Sequence, residues 1–274
     1  MRQAVVIAGM LLLGGAYALG EPYEVASVAP ECEACSAEEG LPGPFPEDQG
    51  WTRFAKGVTR SVENGALHLE ATEDSTVDFY RKEMNNTLNP GPGEYFDFEW
   101  RMVVDFASTG YDTPAVIALD NFGGVLGIQT SDDHVRDAEG GEWYWYDPGV
   151  FHTFLLRSVD LVNYDLFVDS QYAFSDVFKL PTGLNSFAGW GDSASSHSSS
   201  RWEFARFGAA ALGDLDRNGL VNLLDFATFA NCFGVSTGVP SGSCSDLEAH
   251  LSDMDGNGTV NLNDFATFAG DFGG

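Results

Sequence analysis

One pattern of Asp, Asn and Gly occurs twice near the end of the chain: Asp214-Leu-Asp-Arg-Asn-Gly219-Leu-Val-Asn222-Leu-Leu-Asp225 and Asp253-Met-Asp-Gly-Asn-Gly258-Thr-Val-Asn261-Leu-Asn-Asp264. Nothing else in the sequence restricts the fold as tightly. Side-chain oxygens stand at loop positions 1, 3, 5, 9 and 12 and glycine at position 6, where a backbone must turn sharply to wrap a large, hard cation. Each copy crowds three carboxylates together, a repulsion that a divalent ion relieves. Calcium accepts a mixed set of carboxylate, amide, carbonyl and water oxygens, whereas magnesium demands tighter octahedral geometry. The second copy begins 39 residues after the first, and the nine residues from Asn222 and from Asn261 agree at eight places. A duplicated unit with two bound calcium ions follows.

The chain has 274 residues, with 13 basic against 41 acidic side chains and a formal charge of −28. That charge opposes nucleic acid and anionic membranes as partners, because phosphate is repelled. Length and the terminal repeat together indicate two domains.

Residues 1–20 carry one Arg, an apolar run from Ala4 to Leu13, and small residues Ala18 and Gly20 before Glu21, the pattern of a cleaved secretory signal. An uncleaved anchor is the alternative, since the stretch is almost long enough to span a bilayer. Export permits disulfides. Cys232 and Cys244 bracket the segment between the two repeats, and a bridge there clamps the connector. Cys32 and Cys35 lie in a Pro-, Glu- and Gly-rich stretch without the strand and helix of a redox motif, so a local disulfide is the better reading. No second such pair and no paired His supports zinc.

Residues 21–49 read as a linker, and residues 50–208 as a β-domain of short Val-, Phe-, Tyr- and Trp-rich runs punctuated by Gly, Asn, Asp and Pro. Nine runs qualify, beginning at Ala66, Val77, Tyr95, Ala115, Val125, Trp143, His152, Tyr164 and Trp202. The clearest alternation, Phe96-Asp-Phe-Glu-Trp-Arg-Met102, predicts one core face and one face exposed or lining a groove. The fold class is mostly β: an antiparallel sandwich followed by a small all-α module at 209–274. On Phe154-Leu-Leu-Arg-Ser158, Tyr164-Asp-Leu-Phe-Val-Asp-Ser170 and Trp202-Glu-Phe-Ala-Arg-Phe207, the β-domain resembles the concanavalin A-like lectin and glucanase sandwich, a jelly roll in its laminin-G-type form. Gly191–Ser200 reads as a low-complexity mobile loop, with His197 exposed in it.

Residues 212–273 resemble a type I dockerin, a module of paired calcium loops each followed by a helix. The resemblance implies side-chain ligands Asp214, Asp216, Asn218 and Asp225 in the first loop, with the Leu220 carbonyl and a water held by Asn222. In the second it implies Asp253, Asp255, Asn257 and Asp264, with the Thr259 carbonyl and Asn261. Asp at position 12 and a tether-like Phe207–Gly213 before the first loop favour a dockerin over a sensor EF-hand. Apolar faces of Leu223, Phe226, Ala227, Phe229 and Ala230, and of Leu262, Phe265, Ala266, Phe268 and Ala269, predict two antiparallel helices packed together. Ser245 and Glu248 predict a capping box on a short helix between them. Dockerins imply a cohesin as partner. Here positions 10 and 11 are Leu223-Leu224 and Leu262-Asn263 in place of small polar residues, so another cell-surface protein fits equally well. So thin a core predicts that chelation unfolds the module while the sandwich stays folded.

Two further features concern the sandwich. Glu94, Asp97 and Glu99 approach the paired-carboxylate motif of retaining glucanases, but the spacing departs from it and Glu94 alternates to the opposite face. No catalytic residue is assigned, and a polysaccharide hydrolase remains an alternative to a binding or structural protein. Trp143-Tyr-Trp145-Tyr146 places two indoles on one side of a strand, a surface for stacking on sugar rings, and Trp190 between Gly189 and Gly191 is a third candidate platform.

Overall fold

The computed structural model describes residues 23–27, 45–49, 51–72, 77–83, 90–107, 115–121, 124–137, 141–160, 162–177, 187–192, 197–239 and 241–272. Residues 1–20, expected to be a secretory signal, and Cys32 and Cys35 lie outside the described residues. Two antiparallel sheets face each other, with strands numbered in chain order. The first runs β13 (Gln171–Val177), β12 (Asn163–Val168), β11 (His152–Ser158), β6 (Glu94–Ala107), β15 (Ser198–Ala211), β4 (Ala66–Ala71) and β3 (Val58–Glu63), and β1 (Tyr23–Ser27) pairs with β15. The second runs β10 (Trp143–Trp145), β9 (His134–Asp137), β8 (Gly124–Thr130), β7 (Ala115–Asn121), β14 (Phe187–Asp192), β5 (Val77–Glu83) and β2 (Thr52–Lys56).

The even-numbered residues of β6 form the centre of the core. Phe96, Phe98, Trp100 and Met102 are buried against Phe154 and Leu156 of β11, Phe207 of β15, and Tyr80 and Trp190 of the opposite sheet. Trp100 stacks on Phe154 with centroids 5.3 Å apart, and Phe98 lies parallel to Phe207 at 5.9 Å. Such pairs add about 0.5–1.5 kcal/mol each to the burial of their area.

The odd-numbered face of β6 departs from expectation, because it is covered. Asp97 is 0 % and Glu99 5 % exposed. Arg157, the cross-strand partner of Asp97, grips it through two hydrogen bonds of 2.8 and 3.1 Å, and Arg206 and Arg217 both pair with Glu99. Arg217 belongs to the first Asp-rich loop, so the C-terminal unit itself provides part of the cover.

That unit has three helices: α1 (Leu223–Cys232), α2 (Asp246–Ser252) and α3 (Leu262–Asp271). Asn222 and Asn261 cap α1 and α3, and Ser245 and Glu248 form the expected capping box on α2. A disulfide joins Cys232 to Cys244 and brackets the connector. The contact between α1 and α3 is narrower than the periodicity predicts. Phe229 and Phe268 are buried 5.5 Å apart, while Leu223 and Leu262 are 72 % and 71 % exposed and the four alanines face solvent. The reason is rotational: Asp225 and Asp264 must point into their loops, and a residue two positions earlier sits about 200° around the helix.

Three linking segments also differ from their reading. Residues 21–49 contain β1 and a 3-10 turn at Pro46–Gln49. The low-complexity stretch begins and ends in strands, and Ser198 donates to the buried Asp192 at 2.6 Å. The supposed tether continues β15 to Ala211, still paired with β6. The C-terminal unit is therefore packed on the sandwich. Leu155 and Phe167, on the outer face of the first sheet, share a core with Leu215, Leu247 and Leu251. The Tyr172 N–H donates to Asp246 at 2.8 Å, Leu247 N–H donates to the Ser170 carbonyl at 3.1 Å, and His250 stacks on Tyr172 at 5.0 Å.

Candidate metal centres

The two Asp-rich loops adopt matching geometry. In the first, Asp214 accepts from Asn218 N–H at 3.0 Å and Gly219 N–H at 2.8 Å, while Asp225 accepts from Leu215, Asp216 and Asn222 N–H groups at 2.8, 3.0 and 2.8 Å. In the second, Asp253 accepts from Asn257 and Gly258 at 3.1 and 2.7 Å, and Asp264 from Asp255 and Asn261 at 3.0 and 2.7 Å. These bonds curl each loop around its carboxylates. The Asn222 amide donates to the Leu220 carbonyl at 3.1 Å and the Asn261 amide to the Thr259 carbonyl at 2.7 Å, so positions 7 and 9 converge as well. Gly219 and Gly258 turn with φ of 88° and 86°, a left-handed conformation that side chains disfavour.

Asp214, Asp216 and Asp225 come together in one loop, and Asp253, Asp255 and Asp264 in the other, with ligand atoms in each group all within 4.8 Å of one another. A calcium ion, with oxygens at roughly 2.3–2.6 Å, fits such a group. Electrostatics point the same way. Burial pushes the Asp214 carboxyl up to about 6; the Gly219 and Asn218 N–H groups oppose the shift, and the charges of Asp225 and Asp216 add to it. Asp253 is raised, again chiefly by burial. Negative charge held against its own tendency to take up protons is what a bound cation compensates.

The aromatic candidates divide. Trp143 and Trp145 share the outer face of β10, 39 % and 63 % exposed, with rings 6.0 Å apart and 26° from parallel. Beneath them lies the buried His134, 4.5 Å from Trp143 and hydrogen-bonded to Asp133, and Arg136 sits 5.0 Å from the Trp143 ring centre. Sequence reasoning missed His134 and Arg136, whose only signal is cross-strand pairing with the two tryptophans. Trp190 must be corrected: it is buried between Tyr80 and Trp202, with no face open to a ligand. Its flanking glycines serve strand packing, since a Cβ at Gly189 would lie 2.3 Å from the Phe79 ring and one at Gly191 2.1 Å from the Asp78 carbonyl. Of the glucanase-like acids, Asp97 and Glu99 are engaged by arginines, and Glu94 accepts from Gly91 N–H at the strand start.

Residues 212–269 match the dockerin type I domain. The C-terminal unit of this mostly β chain is dockerin-like, and dockerin domains in general bind calcium and cohesins. No curated protein sequence matches the chain. Similar solved structures include a sialidase, at 13 % identity and TM-score 0.44, covering 68 % of this chain and 19 % of that one. The carbohydrate esterase vb_24B_21 from Shiga toxin-encoding bacteriophage phi24B is 14 % identical with TM-score 0.47, covering 67 % of this chain and 98 % of that one. The metal-free carbohydrate recognition domain of Emp46p is 15 % identical with TM-score 0.39, covering 58 % and 87 % respectively. The chain thus spans about a fifth of the sialidase, and the sandwich assignment rests on the strand order itself. Among the described residues no helix is long and apolar enough to cross a membrane.

Proposed function

We propose that this is a secreted, non-catalytic attachment protein. Residues 1–20 are its cleaved leader, β1 within the following segment joins the first sheet, and the residues after β15 ends at Ala211 form the calcium module. Two calcium ions order that module, one bound by Asp214, Asp216, Asn218, Asp225, the Leu220 carbonyl and a water on Asn222. The other is bound by Asp253, Asp255, Asn257, Asp264, the Thr259 carbonyl and a water on Asn261. The observation that carries this reading is the pair of matched carboxylate groups, each gathered within 4.8 Å. The ordered module presents α1 and α3, with Leu223, Leu224 and Leu262 outward, to a cohesin-like or other cell-surface protein.

The sandwich brings a second surface to the assembly. Trp143 and Trp145 offer indole faces to the apolar faces of sugar rings, which supports binding of a polysaccharide. Pull-down by the full chain from the source secretome, with calcium or with chelator, tests attachment. A partner retained only with calcium is expected, and one retained equally in chelator contradicts the proposal. A glycan array tests the sandwich: binding lost in Trp145→Ala supports it, and binding that is absent or unchanged refutes it.

A further inference from the structure

We propose that Tyr95 and Glu99 of the sandwich are positioning residues for the first calcium loop, so that filling this loop and seating the C-terminal unit are a single coupled event. The proposal rests on the reading of both loops as calcium sites. The two loop copies differ at position 4, where the first has Arg217 and the second Gly256. Loop position 4 has a left-handed backbone in both, with φ of 62° at Arg217 and 67° at Gly256. Glycine adopts this conformation freely, whereas any side chain is disfavoured there. An arginine kept at such a position needs something to hold it.

The holder is on β6. The Arg217 guanidinium lies 3.0 Å from the Glu99 carboxylate, whose other oxygen pairs with Arg206. Four residues earlier on the same strand, the buried Tyr95 hydroxyl donates to the Asp214 backbone carbonyl at 2.8 Å. Asp214 is position 1 of the loop, and its side chain belongs to the carboxylate group. The guanidinium of Arg157, fixed by Asp97, lies 3.4 Å from the centre of the Tyr95 ring and holds it in place. Leu215, at position 2, is buried in the core shared with Leu155 and Phe167. The sandwich thus touches loop positions 1, 2 and 4.

The second loop is placed differently. Asp253, Asp255 and Gly256 border a cavity of about 580 Å³ that separates them from Asp165 and Asp176 of β12 and β13. Met254, the counterpart of Leu215, is only partly buried. Among the described residues, the sheet grips the first loop by a hydrogen bond, an ion pair and a buried leucine, while the second loop meets it across a cavity and through the partly buried Met254. By linkage, whatever the sheet adds to calcium affinity at the first loop, calcium adds equally to the seating of the C-terminal unit.

The second loop is a control built into the same molecule. Calcium titration of the full chain by calorimetry, compared with Tyr95→Phe, reads the effect. Losing one hydrogen bond to the loop backbone should weaken one of the two affinities about fivefold and leave the other unchanged. In an Asp225→Ala background, which disables the first loop, Tyr95→Phe should leave the remaining affinity unchanged. A merely structural tyrosine would shift both affinities or neither, and either result overturns the proposal. Near-UV circular dichroism checks that each variant is folded. As a second measurement, calcium should raise the melting temperature of the sandwich tryptophans in the parent chain and raise it less in Glu99→Gln; an equal rise in both also overturns the coupling. If the parent chain binds no calcium, the site reading itself fails, an outcome distinct from two calcium sites insensitive to Tyr95.

Discussion

The sandwich and the C-terminal unit hold themselves together by different means. In the sandwich, Trp100, Trp190 and Trp202 are fully buried along with Tyr80, Phe98 and Phe154, and aromatic area withdrawn from water offsets the loss of chain entropy. In the C-terminal unit only Phe229 and Phe268 of six phenylalanines are buried. So little apolar area does not order some 60 residues by itself. A disulfide, three capped helices, a junction with the sandwich and two carboxylate groups suited to calcium make up the difference. Covalent and ionic links, in short, replace core volume where the chain is thin.

This contrast breaks first under chelation. Removal of calcium should abolish hydrogen-exchange protection in α1 and α3 while β6 and β15 stay protected; retained protection in the helices would contradict it. Next in size, Phe98→Ala should cost the sandwich about 3–5 kcal/mol, read by denaturant melting of tryptophan fluorescence. Calcium stoichiometry should stay unchanged in that variant. Replacing both Cys232 and Cys244 by serine should destabilise the C-terminal unit by about 2–4 kcal/mol, measured as a lower melting point of the helical signal in calcium. The smallest effect is expected for Ser245→Ala, about 1 kcal/mol on the same transition, because one helix cap is lost.

Much of this was legible in the residues, and the failures have physical causes. All nine strand-like runs lie in strands, and the alternation in β6 identifies its core face. Six of the described strands escaped notice, among them β1 and the four-residue β9, and the other four have two kinds of cause. β2, β3 and β13 are sheet edges with mostly polar or exposed residues, so they lack the apolar alternation that marks a half-buried strand. β14 is interior but interrupted by Gly189 and Gly191, which read as the surroundings of an exposed platform when they in fact allow close strand packing. The Asp-rich loops were fully visible because their oxygen pattern is local. The junction was not, because Tyr95, Glu99 and Arg217 are brought together only by the fold. Arg217 opposite Gly256 in the repeat was its one trace.

Calorimetric titration of the full chain with calcium decides whether both Asp-rich loops hold a metal ion. Two ions per chain are expected, with one of them lost in Asp225→Ala and the other in Asp264→Ala. A single ion, no binding, or a stoichiometry of two that survives both substitutions would contradict that expectation.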